Sequence, residues 1–349
     1  MGSTLRWSPR HGHAIEPFAL ATRAPTLRRV DMTPHTAAPS VLCAGLLVAD
    51  LFVPPLARLP AAGELVATGS FLVDSGGCAA NTASALAKLG VRAGVAGMIG
   101  EDIFGDFVLR DLSRKGVDSR SIARTAAHGT SQTVILPVSG EDRRYIHTFG
   151  ANADFTVADI DRRMSAHTRV IYVGGYLALP GLTPDALGAL FQRARANSTL
   201  TMLDVVVPSG DSAAAAHAMA ALIPVLPHSD YFLPNDEEAQ RLTGLNDPRA
   251  QAAALLNAGC GAVVITRGAR GVLAATQREV IEQPAFVVDV VDGSGAGDAF
   301  AAGLIAGLLD DLPLPRALRL GGAMGASACT ALGCNAGLFD RAQAEAFIA

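Results

Sequence analysis

A glycine-rich turn flanked by two aspartates is the part of the sequence best suited to bind an anion. The residues Asp292-Gly-Ser-Gly-Ala-Gly-Asp298 lie between a valine-rich run and a stretch of alanine and leucine that is typical of a helix. Glycine has no Cβ, so its backbone approaches a ligand closely, and the first amides of a helix lack partners within that helix. The turn therefore predicts a phosphate site at Gly295, Ala296 and Gly297, with the carboxylate of Asp298 beside it.

Two better-known phosphate loops do not fit this turn. The sequence GxxxxGK[ST] occurs nowhere in the chain, and Asp298 stands where the GxGxxG motif has its third glycine. Dinucleotide-binding fingerprints also tend to open a fold, whereas this turn lies near the C-terminal end of the sequence. A dinucleotide-dependent oxidoreductase is therefore disfavoured, while a site for a nucleotide phosphate is not.

A second glycine motif begins at Gly76 and Gly77 and leads into an alanine-rich helix predicted over 79–89. A diglycine before a helix gives a tight turn with exposed amides, and Asn81 in the first helical turn offers one acceptor and two donors to a polar ligand. Alone, this motif is weak evidence, because such turns are common. Its combination with the later aspartate-flanked turn is far more specific.

With both motifs in place, the sequence resembles the ribokinase-like (PfkB) family of carbohydrate kinases. The motifs occur in that family's order and at about its separation, and the resemblance spans roughly residues 41–340. Three intermediate motifs also fit, namely Pro234-Asn-Asp-Glu-Glu238, Leu242-Thr-Gly244 and Thr266-Arg-Gly-Ala-Arg-Gly271. The resemblance implies a cytoplasmic, ATP-dependent phosphotransferase that moves the γ-phosphoryl group to a hydroxyl of a small ribose-like or 2-keto-3-deoxygluconate-like sugar.

The resemblance also implies roles for individual residues. The general base would be Asp298, and the anion hole would be formed by the amides of Gly295, Ala296 and Gly297. Sugar hydroxyls would be bound by Asp50, Gly76, Gly77, Asn81 and Glu141. ATP would be bound by Asn235, Glu238, Thr266 and Gly268, with Glu238 ordering Mg²⁺ through water. These assignments suit phosphoryl transfer, which requires alignment and electrostatic stabilisation more than covalent chemistry.

One departure from the family pattern lies beside the implied anion hole. Many members read Asp-Thr-Thr before Gly-Ala-Gly-Asp, whereas this chain reads Asp292-Gly-Ser and so has one hydroxyl fewer. A K⁺ ion bound by Asp292 and by backbone oxygens of residues 333–337 is a hypothesis that the resemblance implies. Arg143 and Arg144 could contact a phosphorylated substrate, but we expect them to form a solvated loop tip.

Two other functions stay open on the sequence alone. A nucleoside kinase of the adenosine type fits the same motifs, although the aromatic content of only 5% leaves few side chains that could stack on a purine. A catalytically idle sugar-binding protein also fits. The retention of Asp298, Asn235 and Glu238 argues against that second alternative.

The elements that must position these motifs alternate along the chain. Strands are predicted at 41–49, 93–98, 170–174, 200–206, 230–233, 262–266 and 272–275, and helices at 79–89, 104–115, 183–196, 236–243, 248–258, 297–309 and 315–331. Uniformly apolar strands separated by helices are typical of parallel strands covered on both faces. We therefore expect an α/β fold with a doubly wound, mostly parallel sheet sandwiched by helices.

Two extended segments, at about 64–75 and 131–149, have no helix beside them. Together they predict a small antiparallel sheet that projects from the main body, and the resemblance implies that this sheet is a lid over the sugar. An exposed sheet edge can pair with another chain, so a homodimer formed through the lid is a further expectation.

Composition narrows the class of protein and separates one end of the chain from the rest. Of the 349 residues, 50% are hydrophobic, 17% are charged and the net charge is −4, which excludes a disordered chain and disfavours a nucleic-acid binder. No apolar run is long enough to predict a membrane span, and five scattered cysteines without a CxxC pair indicate reduced cytoplasmic thiols. Residues 1–40 contain five arginines and show no apolar periodicity, so we expect them to be a disordered extension or the result of a start codon placed too early. Without them, the rest of the sequence has a net charge of −7.

Overall fold

The structure is a computed structural model that describes residues 38–139, 143–207 and 212–349. Most of the predicted N-terminal extension (1–37) and the predicted sugar ligand Glu141 lie outside the described residues. Within them, the chain alternates between short strands and helices, as the sequence pattern predicts.

The strands, in chain order, are β1 (Val41–Gly45), β2 (Val48–Phe52), β3 (Leu72–Gly76), β4 (Ala93–Gly100), β5 (Ile122–Thr125), β6 (Gln132–Leu136), β7 (Arg144–Thr148), β8 (Val170–Gly174), β9 (Leu200–Leu203), β10 (Tyr231–Phe232), β11 (Ala262–Thr266), β12 (Val272–Thr276) and β13 (Val280–Gln283). Nine of them form a large sheet in the order β13-β12-β11-β10-β9-β8-β1-β4-β5. Its pairings are parallel except for the two made by β12. The predicted mostly parallel sheet is confirmed.

The helices, in chain order, are α1 (Cys78–Lys88), α2 (Ile103–Arg114), α3 (Val157–Asp161), α4 (Pro184–Ala196), α5 (Ser212–Leu222), α6 (Asp236–Thr243), α7 (Pro248–Asn257), α8 (Ala296–Leu309), α9 (Leu314–Ala328) and α10 (Arg341–Ile348). One apolar core joins the sheet to α1, α2, α8, α9 and α10. A second core joins the sheet to α3, α4, α5, α6 and α7. The sheet is thus covered on both faces, which explains why its strands are apolar without alternation.

The four remaining strands form a small sheet in the order β3-β2-β6-β7. The predicted strand 41–49 is wrong as a single element, because the chain leaves the large sheet after Gly45 and enters the small one at Val48 as β2. The side-chain amide of Asn152 binds the Leu47 backbone there, accepting from its N–H at 3.1 Å and donating to its carbonyl at 2.9 Å. The small sheet is also not purely antiparallel, since β2 and β6 run parallel.

Several predicted boundaries change for physical reasons. In the predicted extended segment 64–75, only residues from Leu72 onward join a strand. The valine-rich run before the glycine-rich turn is not a strand, and Val287 there is 93% exposed, without the cross-strand neighbours that stabilise a sheet. Strands β5 and β13 and helices α3, α5 and α10 were not predicted, because their short or alanine-rich sequences carry little periodicity.

Candidate active site

The glycine-rich turn forms the N-terminus of α8. Gly295 is the residue before the helix, and its φ of +72° lies in the left-handed region that favours glycine. A Cβ at Gly295 would lie 2.8 Å from Cβ of Cys334, so a side chain there would clash as well as strain the backbone. The turn therefore presents the amides at the start of α8, where the helix dipole favours an anion.

Asp298 lies in the first turn of α8 and faces the second glycine motif. The side-chain amide of Asn81 donates a 2.9 Å hydrogen bond to Oδ2 of Asp298, and the hydroxyl of Thr82 donates to its backbone carbonyl at 3.3 Å. Burial raises the pKa of Asp298 to about 7, while hydrogen bonds from Asn81 and Cys78 oppose that rise. A carboxyl with a pKa near neutrality is well matched to proton transfer.

Asp50 lies on β2, one of the two inner strands of the small sheet, and points toward the same region. It is only 7% exposed, and burial raises its pKa to about 6 although a hydrogen bond with Thr133 on β6 opposes the rise. A Cβ at Gly76 would lie 1.7 Å from Oδ2 of Asp50, so this glycine leaves the room that the Asp50 carboxylate occupies. The diglycine thus shapes the pocket around a carboxylate.

A polar network holds this side of the site in place. The ammonium group of Lys115 lies 2.5 Å from Oδ1 of Asp74 and 2.7 Å from Oδ2 of the buried Asp111. The side-chain amide of Asn335 donates to Oδ2 of Asp74 at 3.3 Å and to Oδ1 of Asn81 at 3.5 Å. Because both oxygens belong to side chains of the pocket wall, the network fixes their orientation.

A cavity of about 200 Å³ opens on the other side of Asp298. Its lining combines the glycine-rich turn with polar residues from the carboxyl ends of neighbouring strands, namely Asp204, Asn235, Glu238, Thr266, Gly293, Gly295, Ala296, Gly297 and Asp298. Parallel α/β sheets bind ligands at this end of their strands.

Asn235 and Glu238 start α6 and hold one another. The side chain of Asn235 accepts from the amide of Glu238 at 2.9 Å, and the Glu238 carboxylate accepts from the amide of Asn235 at 2.9 Å. Burial raises the pKa of Glu238 to about 7, although hydrogen bonds from the amides of Asn235 and Val207 oppose the rise. The motif predicted to bind nucleotide is therefore also a helix capping box.

Two residues of the cavity were missed by the sequence analysis. Asp204, just after β9, and Cys78, the first residue of α1, have ligand atoms that lie within 4.8 Å of each other and of Asp298. Burial and the charges of Glu238 and Asp298 raise the pKa of Asp204 well above its usual value. The signal that could have identified Asp204 is its place directly after a predicted parallel strand.

Arg143 is not at a solvated loop tip, contrary to the prediction. Its guanidinium forms an ion pair with Asp292 and donates a 2.6 Å hydrogen bond to the hydroxyl of Ser294. Its side chain is 26% exposed and that of Asp292 only 2%. The prediction failed because nothing local in the sequence shows that these residues, 149 positions apart, meet in space.

Most predicted site residues lie together around Asp298. On the sugar side these are Asp50, Gly76, Gly77 and Asn81, and on the cavity side Asn235, Glu238, Thr266, Gly295, Ala296 and Gly297. Gly268 lies in the turn after β11 and is not part of the cavity wall. Burial opposes the ionisation of Asp292, but the amides of Gly333 and Ser294 and the charge of Arg143 together hold its pKa below the usual value.

Comparison with known proteins assigns this arrangement to a family. The sequence model of the pfkB family of carbohydrate kinases matches residues 38–341, so the chain belongs to that family. It is 31% identical over 301 residues to a 2-dehydro-3-deoxygluconokinase of Bacillus subtilis, covering 82% of this chain and 90% of that protein. It is also 31% identical over 277 residues to the ribokinase of Mus musculus, covering 76% and 81%.

Solved structures show the same fold. The ribokinase of Arabidopsis thaliana, in complex with ribose and ATP, superposes with a TM-score of 0.75 at 21% identity and covers 89% of this chain and 99% of its own. The aminoimidazole riboside kinase of Salmonella enterica gives a TM-score of 0.72 at 24% identity, covering 88% and 99%. The predicted family, fold class and kinase activity are confirmed. Among the described residues, no helix is both long and apolar enough to cross a membrane.

Proposed function

We propose that this sugar kinase transfers the γ-phosphoryl group of ATP to a hydroxyl of a small sugar, with Asp298 as the general base. The observation that supports this role most directly is the position of Asp298 between two half-sites. It bonds Asn81 on the sugar side and lines the cavity that contains the glycine-rich turn on the other side. One carboxylate can therefore reach a hydroxyl placed between them.

In the proposed reaction, the sugar oxygen attacks the γ-phosphorus while Asp298 accepts the hydroxyl proton. A bond forms between that oxygen and phosphorus, the bond to the β,γ-bridging oxygen breaks, and ADP leaves. The amides of Gly295, Ala296 and Gly297 stabilise the negative charge on the transferred group, as the dipole of α8 favours. Asp298 then releases its proton to solvent.

The residues around the cavity also suit Mg²⁺. Asp204, Glu238 and Asp298 place three carboxyl groups on one cavity wall, and burial raises the pKa of each. Such crowded acids are stabilised by a hard cation, and carboxylate oxygens are ligands that Mg²⁺ prefers. When bound with ATP, Mg²⁺ would neutralise phosphate charge, with Asp204 and Glu238 holding it directly or through water.

Electrostatics on the sugar side favour a neutral sugar over a sugar acid. The described pocket wall carries Asp50, Asp74 and Asp298, and the charge of Lys115 is already shared by Asp74 and Asp111. A carboxylate on the substrate would meet like charges, whereas hydroxyls would donate to these oxygens. We therefore place ribose-like sugars ahead of 2-keto-3-deoxygluconate-like sugars. Nucleosides are uncharged and follow for a different reason, which is that the aromatic content of only 5% leaves few side chains that could stack on a purine.

The test is an acceptor panel with purified protein and Mg·ATP. ADP release is measured with ribose, 2-keto-3-deoxygluconate and adenosine, and Asp298→Asn protein serves as the matched control. Turnover of ribose above the other acceptors supports the proposal. Turnover of the sugar acid alone would refute the electrostatic argument, and binding without turnover for every acceptor would leave a sugar-binding protein.

We also propose a homodimer formed through the small sheet, in a reducing cytoplasm. Exposed apolar side chains cluster on and beside this sheet at Leu65, Phe71, Tyr145, Ile146 and Phe149. Such patches mark association surfaces. All five cysteines are free thiols, which suits a reducing compartment.

The dimer is tested by light scattering on an Ile146→Lys variant. The Ile146→Lys substitution should halve the measured molecular mass if the small sheet forms the interface. Val280→Lys, on the distant strand β13, should leave that mass unchanged. An unchanged dimer in the Ile146→Lys protein would move the interface elsewhere. A K⁺ ion at Asp292 stays a prediction.

A further inference from the structure

We propose that Arg143 is a built-in cation for the phosphate turn, which removes the need for a metal cation beside Asp292. The proposal rests on the kinase activity proposed above. Arg143 would be a positioning residue, because the structure places its guanidinium on Asp292 and Ser294 rather than on a reacting atom.

The contacts account for both carboxylate oxygens of Asp292. Oδ1 is engaged by Arg143 and by the amide and hydroxyl of Ser294, at 3.0 and 2.9 Å for the latter two. Oδ2 accepts a 2.9 Å hydrogen bond from the amide of Gly333. A cation that needed either oxygen would compete with a donor that the chain supplies itself.

The positive charge of Arg143 neutralises the negative charge of Asp292 beside the phosphate turn. Asp292 stands three residues before Gly295 in the sequence and is buried, so its negative charge would act on any phosphoryl group held by the turn. A buried carboxylate without a counter-charge is costly, and it would repel the anion that the amides are meant to hold. The guanidinium cancels that charge while its bond to Ser294 fixes the conformation of the turn.

The same contact joins the two half-sites. Arg143 directly precedes β7, which pairs with β6, and Thr133 on β6 bonds the Asp50 carboxylate on the sugar side. The Arg143 guanidinium also lies 5.9 Å from the centre of the Tyr145 ring on β7. The small sheet thus contributes a charge to the phosphate turn as well as a wall to the sugar pocket.

Two variants and a matched control test the proposal. Arg143→Ala removes the cation, Arg143→Lys keeps a point charge, and Arg120→Ala removes an equal charge from a surface ion pair with Asp118. Activity is measured in K⁺, Na⁺ and tetramethylammonium salts at equal ionic strength. We expect wild type and Arg120→Ala to be equally active in all three, and Arg143→Ala to lose about 10- to 100-fold in kcat in tetramethylammonium.

Rescue separates a positioning role from a merely structural one. Low concentrations of guanidinium, or K⁺, should restore part of the kcat of Arg143→Ala but leave the kcat of wild type unchanged. Arg143→Lys should lose less kcat than Arg143→Ala and should gain less from the added cation. The KM for sugar should change little. A wild-type enzyme that requires K⁺, or an Arg143→Ala enzyme within about threefold of wild type in every salt, would overturn the proposal.

A binding measurement keeps this test independent of turnover. If K⁺ occupies the vacated position, it should raise the thermal unfolding midpoint of Arg143→Ala but not that of wild type. If no acceptor is phosphorylated by wild type, the proposed function fails, and this thermal shift still decides the inference. An equal K⁺ response in both proteins would refute it.

Discussion

The substitution Asp298→Asn should slow catalysis and stabilise the protein at the same time. The site raises the pKa of Asp298 from its usual 3.8 to about 7, mainly through burial. The folded state therefore keeps a proton that the unfolded chain has already lost, and stability decreases as pH rises from about 4 to about 7. Keeping this carboxyl ionised at pH 8 costs the folded state at most about 4 kcal/mol.

Asparagine keeps the shape of the side chain and an oxygen that can accept from Asn81, but it carries no charge. Solvent that enters the adjoining cavity screens part of this penalty. We therefore expect Asp298→Asn to raise the free energy of unfolding by roughly 1–3 kcal/mol at pH 8, and by less than half of that amount at pH 5. Urea unfolding at both pH values measures it. Asp161→Asn, which removes an exposed carboxylate paired with Arg193, controls for the loss of one negative charge.

The catalytic effect has the opposite sign. Without a base, kcat should fall by about 10²–10⁴ while ATP binding, followed by calorimetry, changes little. In wild type, kcat/KM for the sugar should rise with pH through about 7, because Asp298 accepts a proton only when ionised. Turnover of Asp298→Asn within about threefold of wild type would remove Asp298 from the role of base. A variant less stable than wild type at pH 8 would refute the reasoning on its pKa.

Three further substitutions test other parts of the site. Glu238→Gln should raise the Mg²⁺ concentration for half-maximal activity by about tenfold, measured by titration at fixed ATP, because a carboxyl group of the cavity is lost. Gly76→Ala should raise the sugar KM by about 10- to 100-fold and leave the ATP KM unchanged, because a Cβ would lie 1.7 Å from Oδ2 of Asp50. Gly295→Ala should lower stability by about 1–3 kcal/mol in urea unfolding and reduce kcat, because φ is +72°.

Each of these substitutions has a contrary outcome. An unchanged Mg²⁺ requirement would show that Glu238 acts only as a helix cap. A Gly76→Ala protein that impairs ATP and sugar equally would indicate general damage to the site. A Gly295→Ala protein as stable and as active as wild type would show that the turn tolerates a side chain.

The sequence was informative where chemistry is local. The glycine-rich turn, the pair Asn235 and Glu238, and the diglycine before α1 each lie within one turn of chain, so each is visible in the sequence as a motif. The resemblance to the pfkB family that these motifs carry implied that they form a common site. The parallel sheet was also predictable, because burial on both faces leaves an apolar signature in each strand.

Contacts between distant parts of the chain could not be predicted in this way. Arg143 meets Asp292 only because the small sheet folds over the phosphate turn. Asp204 reaches Asp298 only because the fold brings the end of β9 to the start of α8, which lies far away in the sequence. The break between β1 and β2 was missed because both halves are equally apolar, and the polar group that separates them, Asn152, lies 105 residues away.

That break has a consequence for how members of such a fold can diversify. Since β2 follows β1 after only two residues, and β1 is an interior strand of the large sheet, the small sheet is not an added module that can be deleted or exchanged as a unit. Its outer strands β3 and β7 are different, because they lie at the edges and expose apolar side chains. Acceptor range can therefore evolve, or be engineered, by replacing these outer strands while β2 and Asp50 remain fixed to the core.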